Sequence, residues 1–158
     1  TKIQRIIPEK MEIVVSGEKQ KYGLIINTIS LDTLLNNSFG ELPFVGRDLI
    51  TIILPQEYVF PKDVFFLYYA NDEPYTRIVE YKKFTQYKSD TTLIGLEIPS
   101  KNGKHYPLPM MKYKMIQDKY ESLLNDKVFS IDRAGKYDYQ VDIDDCIEQA
   151  LDIKFKVL

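Results

Sequence analysis

The stretch EPYTRIVEYKKF, residues 73–84, places an arginine inside a run of strand-favouring residues. Tyrosine, isoleucine, valine and phenylalanine fit a pleated, half-buried surface, whereas the guanidinium of Arg77 stays charged in proteins. One interpretation is an exposed arginine on the polar face of a strand, in a surface ion pair worth less than ~1 kcal/mol. The other is an anion site, because the planar guanidinium fork matches phosphate oxygens in a bidentate arrangement. The residues alone favour the first interpretation.

Three other groups of residues have reactive side chains, and each has a simpler structural interpretation. Cys146 is predicted to be a small core residue on a helix, and His105 a surface histidine that follows a turn. Asp142, Asp144 and Asp145 suit the positive first turn of a helix, and no second cluster with ligand spacing accompanies them. No nucleophile has a neighbouring base, so the sequence gives no indication of catalysis without a cofactor.

The seven glycines are scattered along the chain. Neither G-x-G-x-x-G nor G-x-x-x-x-G-K-[ST] occurs, so the sequence lacks the loop that lets a backbone approach a pyrophosphate at a helix start. A self-contained dinucleotide-binding domain is therefore not predicted.

Composition limits the class of protein. The 158 residues are enough for one domain with its own core. The formal charge of -2 shows no excess of basic residues of the kind that binds nucleic acid. No apolar run approaches the ~20 residues of a membrane span. A lone cysteine and no visible signal peptide indicate a reducing, cytoplasmic location. The chain starts with threonine rather than methionine, so we expect a single domain, 1–158, from a longer protein.

Alternating apolar and polar residues, bounded by Gly and Pro, predict about seven strands. They cover residues 11–15, 22–28, 48–54, 64–69, 75–81, 92–98 and 127–131, and the tail 153–158 could add another. Helices are predicted at 31–37, capped by Ser30, at 110–124, and from Asp142 onward. The spacing favours an α+β fold, a mostly antiparallel sheet of six to seven strands with about three helices packed to one side.

The two longer helices are each predicted to bury one apolar face. The first face consists of Met111, Met115, Tyr120, Leu123 and Leu124. The second face consists of Ile143, Ile147, Ala150 and Leu151.

Four stretches, in this order and spacing, resemble the C-terminal half of UDP-galactopyranose mutase. They are FGELPF at 39–44, EPYTRIVEYKKF at 73–84, HYPLP at 105–109 and KVFSIDRAGKYDYQVDIDDCIEQAL at 127–151. The most specific is P-Y-T-R-I-x-E-x-K-x-F, and the similarity runs from about residue 22 to residue 151. The chain resembles the substrate-side sheet domain of that flavoprotein, without the Gly-rich FAD domain and the helical lid.

The resemblance implies a function and partners. The family interconverts UDP-galactopyranose and UDP-galactofuranose for surface polysaccharide synthesis, with the N5 of reduced FAD attacking the anomeric carbon as UDP leaves. We therefore expect a UDP-sugar ligand, and FAD bound mainly by a domain of the same protein that is absent from this chain. A homo-oligomer through an uncovered sheet edge is the remaining partner that the sequence leaves open. Neither nucleic acid nor a membrane is expected as a partner, and the chain alone is expected to be inactive.

The resemblance also assigns roles to four residues. Arg77, Tyr106 and Tyr139 match positions that contact the substrate and its diphosphate, and Arg133 matches an arginine near the flavin and its phosphates. No catalytic residue and no metal ligand is assigned.

Several positions depart from the family pattern. Asp132 stands where the family has a glycine, and its carboxylate could neutralise Arg133. Gln140 and Val141 replace a tyrosine and an acid, and Val45 replaces an arginine, with Arg47 two positions away. These departures keep open an alternative, a nucleotide-sugar or protein binding module that has lost mutase activity. A third, weaker interpretation is a flavin amine-oxidase-like protein that acts on another substrate.

Overall fold

A computed structural model describes residues 3–157, with side chains as far as Ile153. The chain forms two compact units. The first unit joins the chain up to Phe44 to the chain from Lys104 onward, and the second unit is Val45–Gly103.

The described residues contain ten strands rather than the seven predicted. In chain order they are β1 Ile3–Ile7, β2 Glu12–Val15, β3 Glu18–Lys21, β4 Ile25–Asn27, β5 Phe44–Leu54, β6 Phe66–Tyr68, β7 Arg77–Glu80, β8 Thr92–Ser100, β9 Tyr106–Pro107 and β10 Val128–Ser130.

Five α-helices, rather than three, and one 3-10 turn accompany the strands in residues 3–157. The turn is Pro8–Lys10, and the helices are α1 Leu31–Leu34, α2 Tyr81–Thr85, α3 Met111–Glu121, α4 Asp132–Lys136 and α5 Ile143–Val157. The α+β class with a mostly antiparallel arrangement is confirmed. β4 and β10 make a parallel pair, whereas the neighbouring strands in β1–β2–β3 and in β6–β7–β8–β5 pair antiparallel.

The first unit is built around one hydrophobic cluster. Strands β1 and β2 of the antiparallel meander β1–β2–β3 and the parallel pair β4–β10 contribute to it together with α1 and α3. Tyr120 of α3 is fully buried, and its hydroxyl donates to the carbonyl of Gly40 at 2.7 Å. The remaining buried members are Ile6, Leu31, Leu34, Leu35, Leu42, Val128 and Tyr137.

The second unit is an antiparallel sheet with the strand order β6–β7–β8–β5. Gly95 of β8 lies under the ring of Tyr81, and a Cβ at that position would come within 2.7 Å of a ring carbon. Gly46 of β5 lies so close to the Asn102 carbonyl that a Cβ would be 1.8 Å from its oxygen. At both sites a side chain would displace the neighbouring group.

The prediction of a strand through residue 81 is wrong, since β7 ends at Glu80 and α2 begins at Tyr81. Lys82 is buried, and its amino group donates to the carbonyl of Glu57 at 2.8 Å and to that of Thr91 at 3.2 Å. The helical turn thus directs the Lys82 amino group at the carbonyls of the flanking loops, where it satisfies backbone acceptors.

The predicted C-terminal strand is also wrong. The helix α5 continues to Val157, and Leu158 lies outside the described residues. Ser30 does precede α1, but its hydroxyl interacts with the Thr33 hydroxyl at 3.0 Å instead of with a backbone N–H of the first turn.

The predicted burial of two helix faces is wrong for most of their residues. Ile143, Ile147 and Leu151 of α5 are 81%, 58% and 51% exposed. In α3, Met111 and Met115 are also exposed, whereas Tyr120 is buried. The remaining residues of the two faces are Leu123 and Leu124, which are half-buried, and Ala150, which is exposed. Helical spacing identified an apolar face correctly, but burial depends on a second element that covers the face.

Candidate functional site

The strand-to-helix connection β10–α4 positions Arg133. β10 pairs with β4, and beyond it the N–H of Ile131 donates to the carbonyl of Asn27 at 2.9 Å. The side chain of Asn27 also donates to Ser130 Oγ at 2.8 Å. Asp132 then takes a φ of 75° and begins α4. Because that conformation is the left-handed one that glycine adopts most easily, the backbone here keeps a glycine geometry although the residue is aspartate.

The guanidinium of Arg133 lies against two phenol rings. Its Cζ is 5.5 Å from the ring centroid of Tyr106 and 5.5 Å from that of Tyr139. The two rings are 5.9 Å apart and inclined by 44°. Tyr106 begins β9 and is half-buried, and Tyr139 lies in the turn between α4 and α5 and is exposed. The structure therefore brings together three of the four residues that the sequence singled out.

Arg133 also has hydrogen-bond partners that hold its guanidinium. Nε donates to the carbonyl of Val141 at 3.0 Å, and Nη2 donates to Asp142 Oδ1 at 2.6 Å. The carboxylate that pairs with Arg133 is thus that of Asp142, not that of its neighbour Asp132. Asp132 Oδ1 instead accepts the backbone N–H of Arg133.

An open cleft of about 450 Å³ lies beside this arginine. Lys104 and Asp142 lie on its wall, together with Arg133. Lys104 is itself paired with the buried carboxylate of Asp32, as Arg133 is with Asp142. An anion that enters the cleft must therefore compete with carboxylates for the two cations.

His105 and Cys146 also line this cleft. His105 is exposed, as the sequence predicted. Cys146 is half-buried rather than a core residue, and its thiol lies 3.8 Å from Asp132 Oδ1. Burial, and then the nearby Asp132 carboxylate, raise the pKa of this thiol, so it is not activated as a nucleophile.

Arg77 lies in the second unit, where its partner is Glu97. The two residues are paired across β7 and β8. Nε and Nη2 of Arg77 donate to Glu97 Oε1 at 2.9 and 2.5 Å. The hydrogen bonds that Glu97 accepts from Arg77 raise the pKa of the guanidinium further, so it carries its charge at every accessible pH.

A second arginine shares the same carboxylate. Arg47 Nη1 lies 3.4 Å from Glu97 Oε2 and donates to Thr76 Oγ1 at 2.9 Å. Because Arg47 and Arg77 share the single carboxylate of Glu97, this cluster on the sheet has a net charge of about +1. The outer side of Arg77 is aromatic, because its Cζ is 5.6 Å from the ring centroid of Tyr68 and 5.8 Å from that of Phe66.

Glu97 and Asp142 are the site residues that sequence reasoning missed. Glu97 is a buried charge in the otherwise apolar strand TLIGLEIPS, and such a charge indicates an opposite charge on a neighbouring strand. Asp142 was interpreted only as a helix cap, and its backbone carbonyl does accept the N–H of Cys146 at 3.1 Å. Its side chain nevertheless pairs with Arg133.

Metal and membrane chemistry find no support in the part of the chain that is described. Across residues 3–157, no set of three or more His, Cys, Asp or Glu side chains is arranged to hold a metal ion. In the same residues, no helix combines the length and the apolar character needed to cross a bilayer.

Comparisons with known proteins place the chain in a family. The sequence model described as UDP-galactopyranose mutase matches residues 3–139, a range that contains all four singled-out residues. No curated protein matches.

A solved structure, "Crystal structure of reduced UDP-Galactopyranose mutase", matches with a TM-score of 0.77 at 16% identity. The match covers 99% of this chain and 46% of that one, so the chain spans about half the length of the solved mutase. The structural match supports the fold, and the sequence match over most of the chain identifies this protein as a member of the UDP-galactopyranose mutase family.

Proposed function

We propose that this chain is the substrate-side part of a UDP-galactopyranose-mutase-like flavoprotein and that it binds the diphosphate of a UDP-sugar. The observation that carries the proposal is the contact of the Arg133 guanidinium with the neighbouring rings of Tyr106 and Tyr139, within the residues that match the family. A protonated guanidinium flanked by phenols suits a sugar diphosphate, because it offers charge and paired donors while the phenols offer rings and hydroxyls.

Arg133 has donors left for a ligand. A guanidinium carries five N–H groups, and the hydrogen bonds to Val141 and Asp142 use one on Nε and one on Nη2. Asp142 is 73% exposed in its side chain, so its carboxylate can turn away into water when a phosphate takes its place. The exchange replaces one anionic partner by another and costs little desolvation.

Arg77 and Arg47 form a second positively charged site on the chain. They exceed their shared partner Glu97 by one charge, and the side chain of Arg77 remains 30% exposed. An anionic group can therefore approach Arg77 without displacing Glu97. We propose that Arg77 contributes to the recognition of the UDP-sugar.

The family implies FAD as the cofactor. The residues of this chain suit contact with one part of FAD, its phosphates, rather than the whole cofactor. When bound, reduced FAD supplies the nucleophile for the pyranose–furanose interconversion. The resemblance puts Arg133 near the flavin and its phosphates, and the N–H groups that Val141 and Asp142 leave unused would let it contact a flavin phosphate beside the sugar diphosphate. The sequence has no Gly-rich loop, so the main cofactor site is proposed to lie outside this chain.

The second candidate is a nucleotide-sugar binding module without mutase activity. The specific observation in its favour is the pairing of both arginines, Arg133 with Asp142 and Arg77 with Glu97. A cytoplasmic location, where nucleotide sugars are used, is proposed for either candidate.

Titration calorimetry of UDP and UDP-galactose into the chain tests the binding that both candidates share. We expect weak binding that falls at least tenfold in Arg133→Ala and in Arg77→Ala, and that is unchanged in the exposed control Arg5→Ala. No heat at millimolar UDP would contradict the proposal. Equal losses in all three variants would show only a general effect of charge.

Conversion of UDP-galactopyranose separates the two candidates. The assay uses the chain joined to or mixed with its flavin-binding part and reduced FAD. The mutase proposal expects turnover that Arg133→Ala lowers, whereas the binding module expects UDP binding without turnover.

A further inference from the structure

We propose that Asn102–Gly103 is a site of spontaneous deamidation and that the modification loosens the start of β5. In this reaction the backbone nitrogen of Gly103 attacks the side-chain amide carbon of Asn102. Hydrolysis of the cyclic product then leaves aspartate or isoaspartate at position 102. The proposal does not depend on nucleotide binding, so it can fail without affecting the proposed function.

The sequence distinguishes Asn102 from every other asparagine in the chain, because Asn102 alone is followed by glycine. Glycine has no Cβ, so its backbone nitrogen is unshielded and the local chain can rotate until a five-membered ring closes. The other asparagines, at positions 27, 36, 37, 71 and 125, are followed by threonine, asparagine, serine or aspartate. Their backbones are less free to adopt the geometry of attack.

The structure leaves both reacting groups accessible. Asn102 and Gly103 are exposed and lie in the turn that follows β8. Gly103 has a φ of 77°, in the left-handed region that favours glycine. Across residues 3–157, no protein acceptor takes a hydrogen bond from the N–H of Gly103. The fold therefore does not occupy the attacking nitrogen.

The reaction needs water as its only co-reactant. The Gly103 nitrogen loses its proton and bonds to Cγ of Asn102, while the bond from Cγ to Nδ2 breaks and ammonia leaves with a proton. Water then adds to one of the two carbonyl carbons of the succinimide, and the bond from that carbon to the ring nitrogen breaks. Opening at Cγ gives aspartate, whereas opening at the α-carbonyl gives isoaspartate, in which the main chain runs through Cγ. No atom is oxidised or reduced.

The side-chain amide of Asn102 makes a contact that both products lose. Its Nδ2 donates to Asp48 Oδ1 at 2.7 Å. After deamidation this donor is gone, and residue 102 carries a new carboxylate near that of Asp48. The two like charges repel each other at a place where an amide and a carboxylate had attracted.

The main chain of Asn102 also lies against the start of β5. Its carbonyl accepts the N–H of Arg47 at 3.2 Å. The contact with Gly46 is so close that a Cβ there would be 1.8 Å from the Asn102 oxygen. Isoaspartate adds a carbon to the main chain at this crowded contact, so we expect the Arg47 N–H to lose its partner. Because the Arg47 side chain pairs with Glu97, the change would reach the charged cluster that includes Arg77.

Incubation of the folded chain in mildly alkaline buffer, followed by peptide mass spectrometry, tests the modification. We expect Asn102 to replace its NH2 group by OH at least tenfold faster than Asn71, which is exposed in the same unit and precedes aspartate. Asn102→Gln should slow the reaction at this position at least tenfold, because the longer side chain has to close a six-membered ring. Equal rates at Asn102 and Asn71, or modification of Asn102 only in urea-unfolded protein, would overturn the proposal.

Urea unfolding tests the structural consequence. The deamidated protein, separated by ion exchange, should have a lower urea midpoint than the unmodified protein. Asn102→Asp should also lower the midpoint, and in an Asp48→Asn background it should not, because the repulsion needs both carboxylates. Asn71→Asp is the matched control and should leave the midpoint nearly unchanged. A deamidated protein as stable as the unmodified one would refute the loosening of β5.

Discussion

Arg133 Nη2 donates to Asp142 Oδ1 at 2.6 Å, so the arginine that contacts two phenol rings already holds an anion. The partner is the first carboxylate before α5, and it is largely exposed. Any phosphate ligand of Arg133 has to replace it or share the guanidinium with it. Asp142 is thus the residue that sets how available the candidate site is.

We predict that Asp142→Asn strengthens UDP binding by about two- to fivefold. The reason is that an exposed ion pair is worth about 0.2–1 kcal/mol, which the ligand no longer has to overcome. Calorimetric titration with UDP measures the change. Asp144→Asn, which removes a nearby exposed charge from the first turn of α5, is the matched control and should have a smaller effect.

The opposite result has a clear meaning. If Asp142→Asn weakens UDP binding, Asp142 orients Arg133 for the ligand instead of competing with it. If both variants strengthen binding equally, the gain reflects total charge.

Removing the shared carboxylate of the second unit should destabilise the fold. Glu97→Gln leaves the guanidinium groups of Arg47 and Arg77 next to each other without a counter-charge. Loss of a fully buried partner costs about 3–5 kcal/mol, and the partial exposure of both arginines reduces this to roughly 1–3 kcal/mol. Urea unfolding measures the change in the free energy of unfolding. The exposed Glu57→Gln is the control, and a Glu97→Gln variant as stable as it would refute the electrostatic role of Glu97.

The sequence predicted much of the second unit and the strand β10 that precedes Arg133, but not the helix α4 on which Arg133 lies. Alternating residues identified β5, β7 and β8, because β-branched residues with period two fit a pleated surface regardless of distant partners. The resemblance selected Arg133, Tyr106 and Tyr139 as separate residues, which the structure brings into contact.

Contacts between residues that are far apart in the sequence could not be predicted from local patterns. Glu97 is 20 positions from Arg77, and only the register of β7 against β8 makes them neighbours. The apolar faces of α3 and α5 were predicted from their spacing, but the spacing does not contain the element that would cover them. Tyr81 was predicted to continue the strand because its residue type favours strands. In the structure it begins α2, the helical turn that buries Lys82.

Glu80 should make the stability of the protein depend on acid pH. Burial raises the pKa of its carboxyl, but N–H donation from Phe60 and Val59, the Thr92 hydroxyl and the charge of Lys83 outweigh burial. The net pKa is therefore below the ordinary value of 4.5. A lowered carboxyl pKa stabilises the fold above the unfolded pKa, and this stability is lost as pH falls through the folded value.

We predict that Glu80→Gln costs about 2–4 kcal/mol near neutral pH, because the amide cannot accept all the donors that surround the carboxylate. The difference from the wild-type free energy of unfolding should shrink as pH falls below about 4.5. Denaturant unfolding between pH 3 and 7 measures it. A difference that stays constant down to pH 3 would show that the charge of Glu80 does not contribute.

Tyr137 should have the opposite dependence at alkaline pH. Its hydroxyl donates to the carbonyl of Pro43 at 2.8 Å and to that of Leu108 at 3.2 Å, and burial raises its pKa to about 12. A raised phenol pKa stabilises the fold below the unfolded value near 10, and this contribution disappears as pH rises through 12. Tyr137→Phe should cost about 1 kcal/mol at pH 7, since two carbonyls lose their donor.

The wild-type protein should lose its advantage over Tyr137→Phe as the pH rises above about 10, because only the wild type must keep a phenol from ionising. Urea unfolding of both proteins from pH 7 to 11.5 measures the difference. Tyr87→Phe, at a tyrosine that is 68% exposed, is the control and should follow the wild type throughout. If the gap between the wild type and Tyr137→Phe widens with pH, the phenolate must be stabilised in the fold, which the carbonyls of Pro43 and Leu108 cannot do.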